Sequence, residues 1–209
     1  PGMWEIKNWK DVVEVSAFTF GTFPEPLAFT LRAWDELKHR KDEFDIVHDN
    51  QSLGFGLLAI EREGLPVIAT IHHPITVDRR LEIEHAEGWY KKFTLRRWYA
   101  FVDMQTEVAR RLKRVITVSE NSFKDIHADH KVDNDRMHIV PVGVDPEMFL
   151  PVKGVKRKPG MLITTASADV AMKGLRYLLE AVAKLRTERP DITLTVIGKA
   201  KPGGESART

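Results

Sequence analysis

The sequence predicts an α/β fold with mostly parallel sheets, divided into two domains. Three observations carry the prediction. Strand-like apolar runs alternate with helix-period segments along the 209 residues. Several of these runs are short and almost wholly apolar, the pattern of buried parallel strands covered by helices on both faces. A stretch rich in proline and glycine, from Pro141 to Gly160, separates two such patterns.

In chain order, strands are expected at Val12–Phe18, Phe44–His48, Pro66–Ile71, Arg114–Val118, His138–Val142, Met161–Thr165 and Thr193–Ile197. Leu27, Leu31, Trp34 and Leu37 form one apolar helical stripe, and Leu175, Leu178, Leu179, Val182 and Leu185 form another. The segment from Ile83 to Leu112 is helical in period throughout. The expected organisation is a first domain over residues 1–145, a linker over 146–160 and the beginning of a second domain over 161–209. After Met161 only a strand, a helix, a further strand and a glycine-rich tail follow, too few elements to cover a sheet on both faces. No first strand with a phosphate-type glycine turn opens the chain, so truncation at both ends is expected.

With 43% hydrophobic and 30% charged residues, the composition is that of a globular protein. No apolar run approaches the roughly 20 residues that cross a bilayer, and the N-terminus lacks a signal pattern, so a cytoplasmic setting is expected. The absence of cysteine excludes disulfides and thiolate metal sites. A net charge of +2 supplies no chain-wide field for nucleic acid, and no nucleic-acid partner is expected.

In an open parallel sheet the ligand crevice lies outside the carboxyl ends of the strands. That rule selects His48, Asp49, Asn50 and Gln51; His72 and His73; Ser119 and Glu120; Gly143 and Asp145; and Ser167, Asp169 and Lys173. The set is rich in neutral hydrogen-bonding groups. It suits a sugar and a phosphate better than hydrolysis, which wants two carboxyls about 5 to 9.5 Å apart. Thr70-Ile71-His72-His73-Pro74 ends an apolar strand in two histidines, which point opposite ways in an extended segment, so one of them can face the crevice. Lys173-Gly174 is expected to open the helix after the strand Met161–Thr165, where free backbone N–H groups and the helix dipole favour a diphosphate. Asp169 fits a turn or capping role as well as a ligand role.

Three further patterns admit competing readings. Gly54-Phe55-Gly56-Leu57-Leu58-Ala59 formally matches the dinucleotide fingerprint, yet five residues intervene after the strand, and close helix packing is the competing explanation. His127 and His130 have helical spacing but no evident third ligand, so a solvated face is expected. The basic helix 91–114, with Lys91, Lys92, Arg96 and Arg97 beside Trp89, Phe93 and Trp98, fits either an anionic membrane surface or a core stripe with a solvated flank. No G-x-S-x-G, H-E-x-x-H or G-x-x-x-x-G-K-[ST] sequence occurs, which removes the common hydrolase, zinc-protease and P-loop readings.

Taken in order, Phe44-Asp45-Ile46-Val47-His48, Val67-Ile68-Ala69-Thr70-Ile71-His72, Val115-Ile116-Thr117-Val118-Ser119, Val140-Pro141-Val142-Gly143-Val144-Asp145, Lys173-Gly174-Leu175 and Leu194-Thr195-Val196-Ile197-Gly198 resemble glycosyltransferase family 4, the group 1 retaining enzymes. The resemblance implies the GT-B architecture of two Rossmann-like domains. A nucleotide-diphosphate sugar is then expected on the C-terminal domain and an acceptor on the N-terminal domain, with no metal required. It assigns His72 to contact with the transferred sugar or donor phosphate, and Lys173 with Gly174 to the diphosphate. Gly143 falls in the interdomain turn, Asp169 on the donor side, and Asp49 with Asn50 on the acceptor side.

Two departures stand out. Where the family usually has an arginine five or six positions before the lysine, this chain has Ala168 and Ser167, so that phosphate contact is either absent or supplied otherwise, by Lys199 or Lys201. The family's paired glutamates are expected beyond Thr209 and its glycine-rich acceptor loop before Pro1, so the chain by itself is expected to have little transferase activity. The alternatives are a noncatalytic sugar-nucleotide-binding module and an NAD-dependent oxidoreductase using Gly54 to Ala59.

Overall fold

The computed structural model describes residue 4 and residues 6–151, 153–166 and 173–198. The chain divides into two units, Pro1–Val144 and Asp145–Thr209. The first contains helices α1 (Trp9–Thr19) and α2 (Glu25–Leu37), strand β1 (Val47–Asn50), helix α3 (Gly56–Arg62) and strand β2 (Val67–Ile71). It continues through α4 (Ile75–His85), α5 (Trp89–Trp98), α6 (Phe101–Arg111), β3 (Arg114–Thr117), α7 (Glu120–His130) and β4 (Met137–Ile139). The second unit has β5 (Met161–Ala166), α8 (Leu175–Glu188) and β6 (Thr193–Gly198).

All strand pairs are parallel. In the first unit the order is β1-β2-β3-β4, and in the second β5 pairs with β6. The α/β class with parallel sheets predicted from the sequence is therefore the class observed. Val67, Ala69, Thr70 and Ile71 of β2 are buried although successive side chains face opposite sides, so both faces of that strand are covered. Leu53, Leu57 and Ile60 meet Val67 and Ile71 in one apolar core, joined by Val108, Leu112, Val115, Ile126 and Val132. The register Asn50↔Thr70 and Ile71↔Thr117 brings the carboxyl ends of the first three strands to one edge.

The first expected strand, Val12–Phe18, is instead part of helix α1. Asn8 caps it by accepting from the N–H groups of Lys10 and Asp11, and the Asp11 carboxylate accepts from the N–H of Asn8 at 3.0 Å. This reciprocal cap satisfies donors that a β-branched run alone would not. The buried face is ionic rather than apolar: Lys10 pairs with Asp35, and Arg32 with both Asp11 and Glu14, while Val12 is exposed. The Arg32 guanidinium, aided by backbone N–H groups, holds the Asp11 carboxyl at about 2.

The helical period from Ile83 to Leu112 likewise does not make one helix. The chain breaks after His85 and resumes at Trp89, with Gly88 at φ +81°, and breaks again between Trp98 and Phe101. Only α6 sinks into the core, through Val102, Gln105, Val108 and Ala109; α4 and α5 bury no residue. His130 is also corrected: it is buried, not solvated, with Nδ1 2.8 Å from Thr106 Oγ1. Burial pushes its imidazole down to about 4.

Candidate functional site

Strand β1 delivers Asp49 and Asn50 to the carboxyl edge, pointing to opposite faces. Asp49 is buried and organises the turn that follows, accepting from Leu53 N–H at 3.1 Å and from the Ser52 hydroxyl. Gln51 and Leu53 take left-handed backbone conformations at φ +63° and +51°. Such conformations cost a non-glycine residue roughly 1–2 kcal/mol. They persist because neighbours over-determine them: Leu53 is sealed in the core, and buried Gln105 of α6 donates to the carbonyls of Gln51 (3.3 Å) and Ser52 (3.1 Å).

Asn50 is exposed and meets His72, which follows β2, through Oδ1···Nε2 at 2.8 Å. An amide oxygen only accepts, so Nε2 carries a proton, and in the neutral ring Nδ1 is then the lone-pair acceptor. The Gln51 carboxamide then brackets the backbone of the histidine pair, accepting from His72 N–H at 2.7 Å and donating to His73 C=O at 2.7 Å. From below, the Ser122 hydroxyl donates to His72 C=O at 2.6 Å. Ser122 is itself set by Ser119, whose Oγ caps α7 at 3.1 Å. His72 is thus exposed at its ring and fixed at its backbone. His73 faces away from this cluster to Asp78 at 3.3 Å. Among the sequence-selected residues of the first unit, the fold brings together Asp49, Asn50, Gln51 and His72, all on one edge.

Ser119, also selected, joins this edge through Ser122, whereas Ser167 lies outside the described residues. Gly143 lies in the exposed segment after β4; a Cβ there would meet no atom within 4 Å among the described residues. Gly174 and Lys173 belong to the second unit. The helix starts at Leu175, after the Lys173-Gly174 pair expected to open it, with Gly174 as its N-cap at φ +66° and Lys173 exposed just before it. The left-handed cap is the physical reason for glycine at that position. Asp169 lies outside the described residues. No group of three or more histidine or acidic side chains among the described residues is arranged to hold a metal ion.

The glycine pair Gly54 and Gly56 is explained by packing. A Cβ on Gly54 would overlap the Thr30 hydroxyl and Pro26 carbonyl, and one on Gly56 the backbone of Thr30 and Leu31. Helix α2 therefore occupies the space that a dinucleotide pyrophosphate would need, and the Gly54–Ala59 fingerprint is corrected to a helix-packing contact. A cavity of about 670 Å³ lies at the amino edge of the sheet, lined by Val67, Ile68, Lys113 and Arg114, opposite the strand ends where ligands bind in such sheets. A second, of about 410 Å³, borders the β1–α3 turn at Ser52 and is lined by Glu14, Phe23, Glu25, Phe29 and Arg32.

Sequence reasoning missed the part played by Gln105 and Ser122. Gln105 had a legible signal, a polar residue in the buried stripe Val102, Val108 and Leu112. Ser122 had only its spacing from Ser119.

Residues 4–148 match the family model described as Glycosyltransferase Family 4. An MMP alpha-(1->4)-mannosyltransferase of Mycolicibacterium hassiacum is 46% identical over 204 residues, which is 98% of this chain and 49% of that protein. D-inositol 3-phosphate glycosyltransferases of Streptomyces scabiei and Jonesia denitrificans are each 26% identical, over 91% and 78% of this chain and 43% and 40% of their own lengths. The chain spans about half the length, or less, of these relatives. It belongs to glycosyltransferase family 4.

Proposed function

We propose that this family 4 chain contributes the acceptor side and part of the donor side of an enzyme that transfers a hexosyl group from a nucleotide-diphosphate sugar to a carbohydrate hydroxyl. Mannose is the first donor sugar to test, given the 46% identical mannosyltransferase. The supporting observation is His72, exposed at the carboxyl edge of the sheet with its backbone held by Gln51 and Ser122 and its Nε2 by Asn50. In that arrangement Nδ1 accepts a hydrogen bond from a hydroxyl of the transferred sugar.

In the proposed reaction the acceptor oxygen bonds to the anomeric carbon on the face that the diphosphate leaves, so configuration is retained. The bond from that carbon to the diphosphate oxygen breaks, and the acceptor proton passes to the departing diphosphate. The growing negative charge is met by the Lys173 ammonium and by free N–H groups at the start of α8, without a metal ion. Withdrawing such a stabilising group typically lowers turnover by about 100-fold or more. The test uses full-length protein with GDP-, UDP- and ADP-sugars, comparing the parent with His72→Ala and Lys173→Met. Both variants are expected to lose about 100-fold in turnover at unchanged melting temperature. An undiminished rate in His72→Ala removes the imidazole from the reaction, and binding of NAD alone replaces the proposal with a dehydrogenase.

We propose also that α5 rests on an anionic membrane surface. No helix among the described residues is long and apolar enough to cross a membrane. Helix α5 buries none of its residues and exposes Trp89 (80%), Tyr90 (67%) and Phe93 (48%) among Lys91, Lys92 and Arg96. Amphipathic rings beside cations are the side chains that an anionic lipid interface favours.

A further inference from the structure

We infer that Gln51 is a positioning residue for His72, and that Gln105 fixes Gln51 in the conformation that lets it act. The inference rests on the reading of His72 given above. The β1–β2 ladder runs to Asn50↔Thr70 and β1 ends at Asn50, where the left-handed Gln51 turns the chain aside. The side chain takes over from the main chain. Its carboxamide offers one acceptor to His72 N–H and one donor to His73 C=O, both at 2.7 Å, as a paired strand would. Glutamine has both the reach and the mixed polarity for this. Glutamate would face the His73 carbonyl with a second acceptor, and asparagine is one methylene shorter.

The bracket matters because the pair His72-His73 lies between the end of β2, at Ile71, and Pro74, which offers no N–H. Without Gln51, the described partners of the 72–73 backbone reduce to Ser122 at a single carbonyl. The ring would then be free to leave Asn50. Gln105 acts one step back. Its Nε2 holds the carbonyls of Gln51 and Ser52 from a buried position, and its described hydrogen bonds go to neither histidine. Displacing a reacting group by about 1 Å can cost 100-fold in rate.

The experiment uses full-length protein labelled with ¹⁵N-histidine, comparing the parent with Gln51→Met, which keeps the length and removes both hydrogen bonds, and with Gln105→Met. In the parent, the His72 ring nitrogens are expected to report a single Nε2-protonated tautomer. In Gln51→Met the two ring resonances are expected to move toward each other as the tautomers mix, with turnover falling about 10-fold or more at similar donor KM. Gln105→Met, the variant to rely on should Gln51→Met fail to fold, is expected to give the same ring signature. Resonances that move while turnover holds support the positioning and remove His72 from the reaction. Resonances unmoved in both variants overturn the inference, whatever the rates.

Discussion

Replacing Gly56 by alanine tests the assignment of the glycine pair most directly. Helix α3 begins at Gly56, where its N–H donates to Thr30 Oγ1 at 3.3 Å, and Thr30 is fully buried on α2. An added methyl would overlap the Thr30 carbonyl and the Leu31 nitrogen, which are backbone atoms, so no side-chain rotation can relieve the clash. The helices must separate, opening the contact around Ala28, Thr30 and Leu53. Overpacking of this kind costs about 1–3 kcal/mol. A backbone obstacle argues for the upper half of that range, while alanine's better helix propensity returns at most about 1 kcal/mol. The net expectation is a loss of about 2 kcal/mol. At roughly 2–4 °C per kcal/mol for a chain of this size, the melting temperature of the first unit should fall by about 4–8 °C. The control is Gly143→Ala, where the methyl meets open space and a change within about 0.5 kcal/mol is expected. Calorimetry with and without NAD reads both variants. A Gly56→Ala protein that melts with or above the parent, or a parent stabilised by NAD, would refute the packing explanation.

Two further expectations follow from buried and exposed side chains. His130 titrates near 4 in the folded chain against an ordinary 6.5, chiefly through burial, so the unfolded chain binds the proton first as pH falls. Its contribution is intact above about 6.5 and is lost progressively toward about 4, amounting to about 3 kcal/mol at the end of that window. Urea midpoints should therefore drop more steeply between pH 7 and 5 in the parent than in His130→Leu; parallel slopes would contradict this. For α5, vesicles rich in phosphatidylserine should sediment the full-length protein at low salt, and Trp89→Ala combined with Phe93→Ser should abolish it. Equal sedimentation of parent and variant would exclude α5 as the contact.

The parts of the fold that were legible in the sequence share one cause, and so do the parts that were not. Strands β2 to β6 were readable because burial on both faces or pairing in a parallel ladder demands apolar, branched residues, and the errors there are shifts of one to three residues at the ends. Helix α1 was illegible to the same rule because its inward face is Lys10, Asp11 and Glu14, satisfied by Arg32 and Asp35 on α2. An ionic interface has no apolar period, and only the Asn8–Asp11 cap betrayed it. The site divides in the same way. That His72 and Asn50 stand on one edge follows from strand topology, which the sequence encodes locally. That Gln51 turns left-handed and reaches back to the histidine backbone involves Gln105, 54 residues along the chain from Gln51, whose buried side chain donates to that turn. Residues that touch a ligand can be nominated from strand ends. Those that aim such residues are chosen by tertiary contacts: the apolar stripe of α6 marks Gln105 as an inward polar residue, but the carbonyls it holds lie on a distant turn.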